Sequence, residues 1–315
     1  MTGGTTRIWA VHLAVLAALL VAGFLLPSYH ATNLARIMVL ATFATGYNLA
    51  FGYTGLLSLG HALFFAAGMY AAGLPAWHWG WGAGPAFLTG ILAGGGMAFV
   101  TGLLALRTAG VSFMIVTLMF AQAFALTILY FNSYTGGDEG FVIPDAARSL
   151  AGVDLSQDLP RYVAAWAICS TGLLLALLLV RSRFGRTMVA LRENEERARM
   201  LGINPFASKL RVLVISGLYS GAGGAAYAIL FGYAGGSFAG IQYSILPMLY
   251  VLLGGAGTVL GGILGATIMF YLTDLASSLT DAWLFLVGAA LVALVLFAPR
   301  GILGWVRAKL WRGLP

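Results

Sequence analysis

Ten apolar runs follow one another along this chain, and most are about as long as a helix that crosses a membrane. Such a helix needs roughly 20 apolar residues to cross a hydrocarbon core about 30 Å thick. The runs lie near 8–26, 34–52, 55–73, 86–106, 111–131, 162–180, 212–232, 241–256, 258–275 and 281–298. The pattern predicts an all-α polytopic membrane protein with about ten transmembrane helices, built as one domain over residues 1–315.

The composition agrees with a membrane chain. Hydrophobic residues make up 60% and charged residues 9%, whereas soluble domains carry about 25% charged residues. The formal charge of +7 comes from Lys and Arg in short segments between apolar runs, as the positive-inside bias produces. No nucleic-acid partner is therefore expected.

Charge placement predicts the orientation. The segment 181–211 and the tail after Pro299 together hold twelve of the seventeen basic residues, which predicts that both are cytoplasmic. Ten crossings place both termini on that side. The loop 132–160 is then external, and it holds half of the acidic residues.

Two features of the spans stay open at this stage. The runs 241–256 and 258–275 are short and joined by glycines, so they fit two full spans or a broken, re-entrant pair. FGYTG at 51–55 recurs as FGYAG at 231–235, and at the same offset Gly60 matches Gly240 and Tyr70 matches Tyr250. Internal duplication is typical of transporters, although ordinary glycine-mediated helix packing gives similar patterns.

No catalytic set and no metal site is predicted. The four histidines are dispersed, no H-E-x-x-H occurs, and the spans contain scarcely an acidic residue. A Walker A loop is also lacking, because Lys209 and Lys309 are the only lysines and neither follows the required glycine pattern. The chain is therefore predicted not to be an enzyme and to bind no cofactor; any ATP-driven step needs an ATPase on another chain.

Polar and glycine positions at membrane depth are the candidates for a translocation pathway, since such groups are costly in lipid. Each also fits a simple hydrogen bond between helices. The candidates are Asn48, Ser58, Gly60, His61, Gln122 and Tyr250.

The charged segment between Arg186 and Leu201 predicts a short helix that Gly202 ends. Its apolar positions are Met188, Leu191, Ala198 and Leu201, and its acids and arginines alternate at ion-pair spacing. A solvated interfacial helix fits this pattern. A helix seated in a groove of another protein fits it better, because the apolar positions are too few for burial in a bilayer.

Several blocks in the same order resemble the LivM-type permease subunits of ABC importers for branched-chain amino acids. They include NLAFGYTGLLSLGHALFFAAGMYAA, FMIVTLMFAQ, TGGDEGFVIP, RSRFGRTMVALRENEERARMLGIN, LGGAGTVLGGILGA and LFAPRGILG. The family's E-A-A-x-x-x-G coupling motif falls on Glu196, Arg197, Ala198 and Gly202, and Arg197 departs from it. The residues that this implies for ATPase coupling are Arg186, Arg192, Glu193, Glu195, Glu196, Ala198 and Gly202.

The resemblance implies a permease in the bacterial inner membrane that works with a LivH-type second permease subunit, two cytoplasmic ABC ATPase subunits carrying ATP-Mg, and a periplasmic substrate-binding protein. The glycine-rich segment TGGDEGFVIP (135–144) of the external loop is expected to form a turn that receives the binding protein through Gly136, Gly137, Asp138 and Gly140. Related permeases for urea, amides or aromatic acids, and a stand-alone ion-coupled carrier, are the alternatives at this stage.

Overall fold

The computed structural model describes residues 2–280 and 301–309, with residues 282, 285, 288, 289 and 292 between them. Helices dominate these ranges. The α-helices are α1 Thr2–Leu25, α2 Ser28–Asn48, α3 His61–Trp79, α4 Ala83–Ala105, α5 Val111–Tyr130, α6 Asn132–Thr135, α7 Asp158–Arg181, α8 Arg183–Glu193, α9 Glu195–Met200, α10 Pro205–Phe231, α11 Ile241–Gly254, α12 Gly261–Leu279 and a C-terminal helix Gly301–Lys309.

The predicted fold class is confirmed. Within the described residues, seven helices are long and apolar enough to cross a membrane, and the chain is an all-α polytopic membrane protein. The second of them continues from α2 through a π-helical turn, Leu49–Tyr53. The tenth predicted span, 281–298, lies outside the described residues apart from a few positions.

The third predicted span is wrong in its bounds. A helix over 55–73 was expected, but Gly55–Gly60 is irregular and α3 runs from His61 to Trp79. The apolar run misleads because it continues through the irregular segment, where Gly55 has a φ of +76° that suits glycine. α3 is not among the seven apolar helices. It carries His61 and His78 at or near its ends.

The short pair is a helical hairpin with a short first arm. α11 has 14 residues, about 21 Å at a rise of 1.5 Å per residue, and is preceded by a 3₁₀ turn over Gly236–Ala239. α12 has 19 residues and runs back alongside it. The described residues of this region therefore form two helices. α11 is too short to cross a full bilayer, so the reading as two full spans does not hold for it.

α10 is the central helix of the bundle and packs on α2, α3 and α4. Glycines make these contacts close. A Cβ added at Gly94 of α4 would lie 2.5 Å from the Cα of Gly221 and 2.6 Å from the carbonyl oxygen of Gly217. Small residues allow this backbone approach where lipid gives no hydrophobic drive between helices. α2 then packs on α7, α11 and α12.

Two short strand pairs follow α5. β1 (Phe141–Val142) pairs antiparallel with β4 (Tyr233–Ala234), just after α10, and β2 (Ser149–Leu150) pairs with β3 (Val153–Asp154). Arg148 is buried and donates to the carbonyls of Ile229 (2.8 Å) and Leu230 (2.6 Å). It therefore satisfies carbonyls at the end of α10 that have no partner within the helix.

The structure adds a second observation to the predicted duplication. Gly60 immediately precedes α3 and Gly240 immediately precedes α11, so the matched glycines both sit where a helix begins. The long helices α2 and α10 come before these irregular segments, and they run in opposite directions, since α2 ends and α10 begins near the charged segment. Opposed repeats of this kind occur in transporter folds.

The close contact of α4 with α10 yields a stability prediction. Gly94→Ala should lower the free energy of unfolding by about 1–3 kcal/mol, because the added methyl group meets backbone atoms that cannot rotate away. Thermal denaturation of the purified protein in detergent measures the change. Gly96→Ala is the matched control, since a Cβ at Gly96 meets nothing within 4 Å. Equal losses in both variants would contradict the packing account.

Candidate functional site

The charged segment folds back on itself through capped turns. Ser182 begins α8 by accepting from the backbone N–H groups of Phe184 (3.1 Å) and Gly185 (3.3 Å). Asn194 begins α9 by accepting from the N–H of Arg197 at 2.9 Å, and Asn204 begins α10 in the same way. Side-chain oxygens at these positions satisfy N–H groups that the first turn leaves free.

The prediction of one helix from Arg186 to Leu201 is wrong, because the backbone leaves the helical path at Asn194 (φ −161°, ψ 108°). Met188, Leu191 and Ala198 are buried as expected. Leu201 is not: its side chain is 79% exposed, and that of Met200 is 84% exposed. The extra turn at Asn194 directs the end of α9 away from the bundle, where Gly202 closes it with a φ of +82°.

Few of the predicted ion pairs form. Glu195 pairs with Lys209 of α10 and, at 3.8 Å, with Arg199. Among the residues that the structure describes, Glu193 and Glu196 make no ion pair, and both are exposed, as is Arg186. Glu195 therefore holds α9 to α10, while the other acids face outward.

Arg192 connects the charged segment to the helix core. Its guanidinium donates to the carbonyl oxygen of Gly52, in the π-helical turn that ends α2. The contact is close along the side chain as well, because a Cβ at Gly55 would lie 3.3 Å from Cγ of Arg192. Arg192 is exposed on α8, so this bond ties a surface side chain to the end of α2.

Asn48 extends this connection to the turn between α11 and α12. Its side-chain oxygen accepts from the N–H of Gly257 at 2.9 Å, and its amide nitrogen donates to the carbonyl of Thr258 at 2.8 Å. A Cβ at Gly52 would lie 2.5 Å from the nitrogen of Gly257 and would collide with the Asn48 side chain. We name Arg192, Gly52, Asn48, Gly257 and Thr258 the junction.

The remaining predicted pathway residues differ in their burial. His61, Ser58 and Tyr250 are buried, and His61 Nε2 shares a 2.7 Å hydrogen bond with Ser216 Oγ of α10. Gly60 packs against the Thr117 carbonyl, 2.7 Å from the place of a Cβ. Gln122 differs, because it is exposed on the outer face of α5.

The predicted docking turn is fixed largely by its glycines. Gly136, Gly137 and Gly140 all have positive φ, of +71°, +58° and +70°, which favours glycine. The N–H of Gly236 donates to the carbonyl of Gly137 at 3.2 Å, which fastens the turn to the segment after α10. Asp138 is the member of this set whose side chain is exposed and charged.

A second acidic residue on this side, Asp154, is held ionised by its own hairpin. Hydrogen bonds from the backbone and side chain of Ser156 lower the pKa of its carboxyl group, and the N–H lies 2.8 Å from the carboxylate. No group of three His, Cys, Asp or Glu side chains is placed to hold a metal ion within residues 2–280 and 301–309.

Sequence reasoning did not identify four residues that contribute to these contacts. Gly52 and Gly257 carry no functional side chain, and their role depends on a contact across more than 200 residues. Ser216 lies in an ordinary apolar helix, so nothing local marks it as the partner of His61. Arg148 could have been found, since a basic residue next to a predicted turn after an acid, Asp145, is a frequent capping arrangement.

The junction predicts the behaviour of an Asn48 variant. Asn48→Ala removes the two hydrogen bonds that tie the turn between α11 and α12 to α2, each worth about 0.5–1.5 kcal/mol. The Thr258 carbonyl keeps the bond that it accepts from the N–H of Gly261 at 3.1 Å. We expect the turn between α11 and α12 to open. A cysteine introduced at Ala256 should then react faster with a membrane-impermeant maleimide than in the parent protein, where the one natural cysteine, Cys169, is buried. An unchanged labelling rate would contradict the contact.

Comparisons with known proteins agree on one family. Residues 29–296 match the family described as "Branched-chain amino acid transport system / permease component". The high-affinity branched-chain amino acid transport system permease protein LivM of Escherichia coli (strain K12) is 26% identical over 333 residues, which cover 98% of this chain and 78% of that protein.

Two further similarities cover less than half of this chain. A probable branched-chain amino acid transport permease protein LivM of Methanocaldococcus jannaschii is 26% identical over 48% of this chain and 44% of its own length. The autoinducer 2 import system permease protein LsrC of Photorhabdus luminescens is 31% identical over 43% of each chain. No solved structure matches. Because the family match extends over most of the chain, the protein belongs to the branched-chain amino acid transport system permease family.

Proposed function

We propose that this chain is the transmembrane permease subunit of an ATP-driven ABC importer, and that it translocates branched-chain amino acids delivered by a periplasmic binding protein. The family match over residues 29–296 supports the transport class and the substrate. The observation that carries the mechanism is the contact of Arg192 with Gly52, because it joins a surface helix to the membrane core.

Its proposed partners are a LivH-type second permease subunit, two ABC ATPase subunits and the binding protein. The chain sits in the bacterial inner membrane with both termini in the cytoplasm. One contact pair supports the placement of the N-terminal end: Tyr162 of α7 donates to the carbonyl of Leu19, and Trp166 donates to the carbonyl of Leu16 at 2.8 Å. α1 therefore runs antiparallel to α7 and begins on the side of the charged segment. ATP-Mg is bound and hydrolysed by the partners.

The end of α9 is the proposed contact with the ATPase. Met200 and Leu201 are large apolar side chains that are mostly exposed, and Glu196 beside them is exposed and has no ion pair among the described residues. Apolar anchors with a polar rim are typical of protein interfaces. The buried Met188, Leu191 and Ala198 hold the segment to the bundle, so this surface can bind a partner without the helices separating.

The junction is the proposed transmission element. When the ATPase subunits close on ATP, they displace α8 and α9, and Arg192 carries that displacement to Gly52 at the end of α2. Asn48 passes it on to the turn between α11 and α12. Binding energy at one face then shifts the balance between outward-facing and inward-facing arrangements of the helices.

The pathway and the docking turn remain proposals with distinct support. Gln122 is the polar candidate on an exposed helix face, so it is available to a pathway between this chain and the second permease subunit. Ser58, Gly60, His61 and Tyr250 act through packing inside the subunit. On the external side, Asp138 offers an exposed carboxylate, on a turn shaped by Gly136, Gly137 and Gly140, to a basic site on the binding protein.

Reconstituted transport tests the function. Proteoliposomes that contain this chain, its partner subunits and a leucine-loaded binding protein should take up leucine with ATP and not with a non-hydrolysable analogue. Uptake that is equally fast without ATP would contradict the proposal. Uptake by this chain alone under an ion gradient would favour a stand-alone carrier.

Arg192 should be needed for coupling rather than for folding. In Arg192→Ala, the surface segment loses its contact with α2. We therefore expect ATP hydrolysis to continue while leucine uptake per ATP falls by about tenfold, which corresponds to a loss of about 1.4 kcal/mol in the coupling free energy between the ATPase contact and the helix core. The ratio of uptake to phosphate release, measured in the same vesicles, reports this directly.

Arg183→Ala is the matched control for this prediction. Arg183 lies in the same helix α8, is exposed, and makes no ion pair with the described residues. Its uptake ratio should equal that of the parent protein. A normal ratio in Arg192→Ala would remove the junction from the mechanism and would leave the transport function itself untouched.

A further inference from the structure

A groove of about 1020 Å³ opens on the same face of the molecule as the charged segment. Its walls are the irregular segment after the π-turn, the connection between α4 and α5, and the chain from α8 to the start of α10. Three membrane-spanning helices end or begin at its rim, at Ala105, Val111 and Pro205. The groove therefore lies where the hydrocarbon core meets the headgroup layer.

The groove is strongly basic. Four of its lining residues are cationic and one is acidic: Arg107, Arg192, Arg199, Lys209 and Glu195. The acid is already paired with Lys209 and Arg199. Arg107 differs from the others, because its guanidinium has no hydrogen bond or ion pair with the described residues. Like Arg192 and Arg199, it is exposed. A net positive, partly enclosed site attracts an anion.

The other half of the lining is apolar and leads into the membrane. Leu56, Leu106 and Met114 line the groove beside Val111. From Val111 an exposed apolar stripe continues along α5 through Ile115 and Met119, at helical spacing. An occupant that fits both halves has an anionic head at the basic end and hydrocarbon along α5.

We propose that the groove binds the headgroup of an anionic phospholipid, with its acyl chains along the outer face of α5. Basic pockets between membrane helices on a charged face take such headgroups. The phosphate lies beside Arg107 and Arg199, and the lipid contacts both the α4–α5 connection and the segment that carries α9. The acyl chains follow Val111, Ile115 and Met119 at the start of α5, and Gln122 lies further along the same helix.

An acidic segment of a soluble ATPase subunit is the competing occupant. It would match the cations, but it has no counterpart for Val111, Ile115 and Met119, which lie on a helix that spans the membrane. The apolar continuation therefore favours the lipid.

Native mass spectrometry of the complete complex, purified in detergent and incubated with equal amounts of phosphatidylglycerol and phosphatidylcholine, tests the proposal. The parent complex should retain phosphatidylglycerol preferentially. Arg107→Gln should weaken that retention by about fivefold, and Arg107→Gln with Arg199→Gln by about 25-fold, since each cation near the surface contributes a factor of about five. Arg107→Lys keeps the charge and should retain the lipid.

The control and the competing outcomes separate the possibilities. Arg183→Gln removes a cation from α8 outside the groove and should leave retention unchanged. Equal retention of both lipids, or equal retention by Arg107→Gln and Arg183→Gln, would overturn the proposal. Displacement of the lipid by millimolar inorganic phosphate would assign the site to a free anion instead. Loss of ATPase subunits from Arg107→Gln in lipid-free detergent, without a lipid preference, would assign it to the protein partner. None of these readouts depends on leucine uptake.

Discussion

Asn48 joins the end of α2 to the turn between α11 and α12 through two hydrogen bonds, one with the N–H of Gly257 and one with the carbonyl of Thr258. A polypeptide leaves the helical path at this depth only where other groups replace its hydrogen bonds. By binding both Gly257 and Thr258, one side chain permits the tight turn between α11 and α12. The position of this turn determines how α12 runs back beside α11 and where both helices pack on α2.

The same requirement explains the position of the charged segment. The π-turn at the end of α2 frees the carbonyl of Gly52, and Arg192 donates to it. The absence of a side chain at Gly52 is what brings α2, the α11–α12 turn and α8 to one point, because a Cβ there would meet both Asn48 and Gly257. A surface helix and three core helices are therefore joined by hydrogen bonds from two side chains, Arg192 and Asn48, to backbone groups.

Much of the fold could be predicted because hydropathy registers lipid exposure directly. The run 111–131 matches α5, Val111–Tyr130, within a residue. The method fails where an apolar run is buried in protein: the segment before His61 reads as a span and is irregular. The spacing of apolar and charged residues also predicts one helix for the charged segment, because the alternating charges continue across Asn194. The local signal for a break was present, since Asn followed by two acids is a typical helix start.

The candidate site was predictable only in part, and the reason is distance along the chain. Asn48 stood out as a polar residue at membrane depth, but its partners lie 209 and 210 residues away. Arg192 stood out within a recognisable charged segment, whereas its acceptor is a backbone carbonyl that no side chain marks. Residue type thus identified the donors, and only the fold identified what they bind.

The central claim is that the surface segment and the helix core move as one unit through the junction. Spin labels on cysteines introduced at Glu196 and Ala256, in a background where Cys169 is replaced by serine, report the distance between α9 and the α11–α12 turn in the assembled complex. The account predicts one narrow distance distribution that stays the same with and without ATP, and a broad distribution once Arg192 is replaced by alanine. A distance in the parent protein that changes when ATP binds would contradict it.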